Sequence, residues 1–120
     1  MMIAEMVLSA ILFVGALLHV YGSFVTFAWA SPELVWSIGS SGLAMLLAAL
    51  AVLRSRRPGD RALSAIVLSG CVGWAAIVLA FGLVIGNPAD ARVLYHVVVS
   101  LALAAFALRG VLAARWRAAR

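Results

Sequence analysis

Lysine is absent from this 120-residue chain, and cysteine occurs once, at Cys71. A lone cysteine closes no intramolecular disulfide and builds no CxxC redox or metal motif, so thiol oxidoreductases that work through cysteine pairs are excluded. Only four residues are acidic, Glu5, Glu33, Asp60 and Asp90, and all nine basic residues are arginine, giving a net charge of +5. Charge is missing altogether from three long stretches, Met6 to Ala30, Leu34 to Leu53 and Ala62 to Gly86. The three prolines lie between such stretches or at their edges, at Pro32, Pro58 and Pro88.

What fills the chain instead is apolar: 67% of residues are hydrophobic and 11% charged. A soluble domain of this size could not hide that much apolar surface, because too small a fraction of it is interior. In lipid the same composition is ordinary. About 20 apolar residues cross a bilayer as a helix, and four segments qualify, at about 3–30, 34–53, 62–86 and 90–112. Segment four has the shorter uncharged core, Val93 to Leu108, and Arg92 and Arg109 at its ends can snorkel to the headgroups. Period-two alternation is missing, which argues against strands. The first segment lacks the positive start of a signal peptide and is too long for one, so it reads as a membrane helix.

The expected fold is therefore all-α, a single four-helix transmembrane domain. Its connections are short, so neighbouring helices should pack antiparallel. Arg54, Arg56, Arg57 and Arg61 occupy the second loop and Arg109, Arg115, Arg117 and Arg120 the C-terminal end, against Arg92 alone opposite. The positive-inside rule then places both termini in the cytoplasm, and a bacterial-type inner membrane is the expected compartment. Trp29 and Trp36 suit the outer interface and Trp116 the inner one, while Trp74 falls mid-helix, where packing is expected. Arginines at helix ends act as topology signals and headgroup anchors, and nucleic acid is not an expected partner.

Small and polar residues recur at helical spacing. Segment one carries Glu5, Ser9, Leu12, Ala16, His19, Ser23, Thr26 and Ala30; segment two carries Ser37, Ser41, Ala44, Ala48, Ala51 and Ser55. Segment three offers Ser69, Gly73, Ala76 and Ala80, and segment four Arg92, His96, Ser100, Ala104 and Ala107. Gly82 and Gly86 form a small-xxx-small pair. Membrane helices pack through such faces because lipid gives no hydrophobic push between them. Ser69, Gly73, Gly82 and Gly86 are thus the expected packing positions.

His19 and His96 are the ionisable side chains farthest inside the apolar segments, roughly 15 Å and 6 Å from the outer end at helical rise. Each has a tyrosine nearby, Tyr21 and Tyr95, and a serine four residues on, Ser23 and Ser100. Such groups in hydrocarbon face protein, a ligand or water, so these six are the candidate ligand- or proton-binding residues. Glu33, Asp90 and Arg92 are expected together at the outer mouth. Glu5 reads as an edge residue near the inner end of segment one, where the deep acidic residue of small multidrug exporters would not be.

Enzyme templates find no support. No HExxH is present, both aspartates lie in loops, and no buried carboxylate accompanies the histidines for triad chemistry. The expected function is a small integral membrane protein without catalytic activity that binds a partner membrane protein, lipid or small hydrophobic ligand within its bundle. It is expected as a homo-oligomer or as a subunit of a membrane complex. A small oligomeric transporter with His19 and His96 near its pathway is the alternative. A haem- or quinone-binding electron-transfer subunit is a third reading, since two facing histidines can hold a haem.

Overall fold

A computed structural model of the chain describes residues 2–118, with side chains described through residue 113. The expected interfacial role of Trp116, and the side chains of Arg115, Arg117 and Arg120, lie outside the described residues. Among those described, all regular structure is helical: α1 (Met2–Thr26), α2 (Pro32–Arg56), α3 (Arg61–Val84) and α4 (Ala91–Ala118). All four are long and apolar enough to cross a membrane, consistent with a multi-pass membrane protein. They form a bundle 57 × 24 × 22 Å. α1 packs most extensively on α2 and α3 on α4; α1 also meets α4, and α2 meets α3.

The helix ends follow local chemistry. α1 stops at Thr26, earlier than the uncharged run suggests, and Phe27–Ala30 turn instead. Ala30 adopts a left-handed φ of 59°, and Pro32 holds Ser31 in extended backbone, which ends any helix before it. Ser31 then caps α2, accepting a hydrogen bond from the Leu34 amide at 3.2 Å, with Pro32 in the first turn. Asp60 caps α3 in the same way, accepting from the Leu63 amide at 2.9 Å. α3 ends two residues before the expected Gly86. Asn87 N–H donates to the Gly82 carbonyl and Gly86 N–H to the Leu83 carbonyl. This closure needs a left-handed residue, supplied by Gly86 at φ +69°. Gly86 therefore makes a turn rather than a helix contact, with nothing within 4 Å of where its Cβ would stand.

The core runs through the centre of the bundle, from Leu12 and Ala16 on α1 and Ala44, Leu47 and Ala48 on α2 to Val67, Cys71 and Trp74 on α3 and Leu103 and Ala107 on α4. The small faces of α1, α2 and α4 turn largely inward as expected, but that of α3 does not. Ser69, Gly73, Ala76 and Ala80 are all exposed, and α3 buries Leu63, Ser64, Val67, Cys71, Trp74, Ala75, Val78 and Gly82. Ser69 and Gly73 are thus not packing positions within this chain. The larger residues Val67, Cys71, Trp74 and Val78 fill the space between α3 and its neighbours.

Close approach depends on other glycines. A Cβ on Gly15 of α1 would collide with the Tyr95 ring of α4, and one on Gly70 of α3 with Leu47 of α2. Gly82 also sits close to its neighbours: its Cβ would stand 3.1 Å from Pro88 Cα and from Val93.

A candidate binding site around a buried ion pair

Two groups of polar side chains bridge the helices. The first joins the ends of α1 and α2 nearest the second loop. Glu5, one turn into α1, forms an ion pair with Arg54 in the last turn of α2, with side chains only 5% and 4% exposed. Sequence reasoning placed Glu5 at the segment edge; the structure buries it. The α1–α2 packing brings the two together, and either charge left alone in this interior would be costly. Arg54 Nε has no hydrogen-bond partner among the described residues.

All four helices contribute to this layer. Gly110 of α4 leaves room for both Arg54 and Ser64 of α3: a Cβ there would stand 3.0 Å from Arg54 Nη1 and 2.5 Å from Ser64 Oγ. Ser64 is fully buried, and among the described residues its hydroxyl has no partner. Beside the pair is a half-open cavity of about 620 Å³, lined by Glu5, Arg54, Ser55, Arg56 and Arg109 together with apolar Met2, Pro58, Phe106 and Ala113. Small-molecule sites commonly measure about 300–1,000 Å³ and mix an apolar lining with a few polar groups. Three arginines and one carboxylate leave the lining net positive.

The second group contains the expected candidates, which the structure divides between two helix pairs. His19 Nδ1 lies 2.9 Å from Ser41 Oγ, and Ser41 Oγ donates to the Ser37 carbonyl at 3.0 Å. Ser41 has one proton, so with that bond made the Nδ1–H donates to it. Ser23 likewise donates to the His19 carbonyl at 2.7 Å and meets Ser37 Oγ at 2.6 Å. These bonds tie α1 to α2 through hydroxyls that both give and accept. His19 is thus engaged in helix pairing by one ring nitrogen, while the side chain as a whole stays exposed at the bundle surface. Tyr21 points outward at 71% exposure.

His96 belongs to the other pair, α3 and α4. Its ring stands edge-on to Trp74 at 5.9 Å and to Tyr95 at 5.2 Å. Among the described residues, no hydrogen bond or ring contact joins His96 to His19. Tyr95 donates its hydroxyl proton to the Ile11 carbonyl, so it fastens α4 to α1. His96 Nδ1, Trp74 Nε1 and Ser100 Oγ are buried without partners among the described residues.

The expected outer-mouth cluster does not form as a unit. Arg92 closes a two-pronged pair with Asp90, Nε and Nη2 donating to the two carboxylate oxygens at 2.9 and 2.8 Å. Glu33 is exposed and makes no ion pair with Arg92 among the described residues. Two residues apart at a helix start, Asp90 and Arg92 reach each other more easily than a separate loop. That pairing holds the Asp90 carboxyl down at about 2. A second groove, of about 550 Å³, lies between α1 and Tyr95 and is lined by Val7, Ala10, Ile11 and Val14. It offers shape but no free polar group.

The signal that could have revealed the ion pair was positional. Glu5 lies on the same helical stripe as Ser9, Leu12 and Ala16. Arg54 continues the buried face of α2 that carries Ala44, Leu47, Ala48 and Ala51. Each charge therefore extends an inward face, which a purely interfacial charge need not do. Comparison with known protein families, with characterised proteins and with solved structures finds no match for this chain.

Proposed function

We propose that the protein is a non-catalytic integral membrane protein that binds a lipid or small amphipathic ligand in the cavity beside Glu5 and Arg54. The carrying observation is that cavity: about 620 Å³, with a buried ion pair in one wall and two further arginines at its rim. Charged side chains in an apolar bundle are costly, and their presence around a ligand-sized space supports binding. The helices run antiparallel in this reading, since the start of α1 meets the end of α2. Both termini face the cytoplasm of a bacterial-type cell, on the arginine-rich side of its inner membrane. The cavity then opens at the cytoplasmic headgroup level, where anionic lipids and basic side chains meet.

Native mass spectrometry of the full chain, released gently from its own membranes, tests this reading. A retained small-molecule or lipid mass, lost on replacing Arg56 and Arg109 by glutamine, is the expected result. A bare chain, or a retained mass indifferent to those replacements, overturns it. A second polypeptide in place of a small ligand would favour the accessory-subunit form. The transporter reading has its own support in the buried polar atoms of His96, Trp74 and Ser100, which have no partner among the described residues. Its test is uptake by proteoliposomes with and without H96F.

A further inference from the structure

The ligand-binding reading leaves open what the cavity recognises and why an acid stands in it. Arg54 is the buried cation of the lining, and its partner is Glu5. Arg56 and Arg109 line the same space and are exposed. Glu5 therefore occupies the position of an internal anion on a guanidinium whose Nε is still unpartnered among the described residues. Arginine is suited to phosphate through paired N–H donors, and in apolar surroundings such bonds are strong.

We propose that the cavity takes a phosphodiester, and that binding is coupled to uptake of a proton by Glu5. This rests on the binding reading above. When a phosphodiester oxygen approaches Arg54, two anions compete for one buried guanidinium. Like charges at close range disfavour ionisation of both, and the titratable partner is the carboxylate. A proton from solvent then adds to a carboxylate oxygen of Glu5, no covalent bond breaks, and the ligand's charge replaces the carboxylate's on Arg54. The groups facing Glu5 fix the sign. From α2 these are Arg54 and, at the rim, Arg56, and from α4 Arg109; among the described residues no side chain of α3 lines the space, Ser64 lying against Gly110. No other acid faces it among the described lining residues. Ligand affinity must then rise as pH falls through the titration of Glu5.

The experiment uses the full chain in a non-ionic maltoside detergent, with short-chain phosphatidylglycerol and dimethyl phosphate as probes. Both are diesters without a second ionisation near neutral pH, so their own titration does not intrude. Affinity is measured across the acid-to-neutral range for the wild type and for E5Q, whose amide still bonds to Arg54. The expected result is up to about tenfold tighter binding per pH unit on the acid side in the wild type, the limit for one linked proton, and a flat profile in E5Q. Calorimetry of the wild type in two buffers of different ionisation enthalpy gives a second readout, net proton uptake on binding, independent of whether E5Q folds. Binding of both probes places recognition in the phosphate itself; binding of phosphatidylglycerol alone assigns the lipid; either supports the proposal. A wild-type affinity that ignores pH, with no proton uptake, overturns the coupling and leaves the binding reading intact. Binding of neither diester, while native mass spectrometry still finds a retained mass sensitive to Arg56 and Arg109, overturns the phosphodiester assignment alone.

Discussion

Glu5 and Arg54 are ion-paired across the α1–α2 interface with both side chains buried. A charge stranded in such a place costs about 3–5 kcal/mol, whereas removing both charges together is often neutral. E5A and R54A are therefore each expected to lower stability by about that amount, and E5L/R54L by less than either. Equilibrium unfolding in mixed micelles measures all three. Equal loss in the double variant would mean that packing, not charge, holds the site.

Gly110 gives Arg54 and Ser64 their room. G110A is expected to cost about 1–3 kcal/mol through overpacking. S64A alone should change little, because its hydroxyl has no partner to lose among the described residues. The combination should cost less than the sum, since it removes the nearer obstacle at 2.5 Å. A double-mutant cycle checks this, and additivity within about 0.5 kcal/mol would contradict the shared contact.

Gly82 and Gly86 serve different purposes, and substitutions should separate them. G82A meets backbone at Pro88 and the Val93 side chain at 3.1 Å, so these neighbours must give by a few tenths of an ångström, which backbone does less easily than a side chain. G86A meets no atom within 4 Å. Its cost is left-handed backbone, about 1–2 kcal/mol, and G86N should cost less. Ala30 is the reverse case, at φ 59° without a glycine. A30G relieves left-handed strain of about 1–2 kcal/mol, offset by about 0.4–1 kcal/mol for glycine's greater freedom when unfolded. A small net stabilisation is expected. Thermal unfolding of the four variants in one detergent gives the ranking, and a destabilised A30G would contradict the left-handed turn.

Asp90 lies just outside α4 and gives the helix start a pH response. Its carboxyl is lowered from 3.8 to about 2, chiefly by the Arg92 side chain and then by the Arg92 amide. A lowered folded-state value means the stabilisation is complete above about pH 3.8 and is lost as pH falls through about 2. Hydrogen exchange at the first turn of α4 should therefore show added opening across that window in the wild type. D90N, compared at each pH, should lack the step. A step of the same size in D90N would assign it to another group.

Four apolar segments, their connections and the inward faces of α1, α2 and α4 were legible in the order of residues. Length, charge and turn chemistry act locally, so Ser31-Pro32, Asp60 and Gly86-Asn87-Pro88 announce helix ends wherever the helices finally pack. The inward face of α3 was not legible. In an apolar medium both faces of a helix are apolar, and size is the remaining cue. On α3 the small residues Ser69, Gly73, Ala76 and Ala80 face out, while Val67, Cys71 and Trp74 fill the core.

The site divides in the same way. His19 and His96 drew notice as polar groups in apolar segments, but which partner each meets depended on packing: Ser41 for one, Trp74 and Tyr95 for the other. Glu5 and Arg54 each read as an end-of-helix charge. Only the meeting of α1 with α2, and the missing side chain at Gly110 of α4, turned them into a buried pair beside a cavity. Residue order was enough for four apolar helices and the turns that end them, because helix length, hydropathy and turns are local properties. Which charges share an interior came from the packing, because burial depends on what every other helix places alongside.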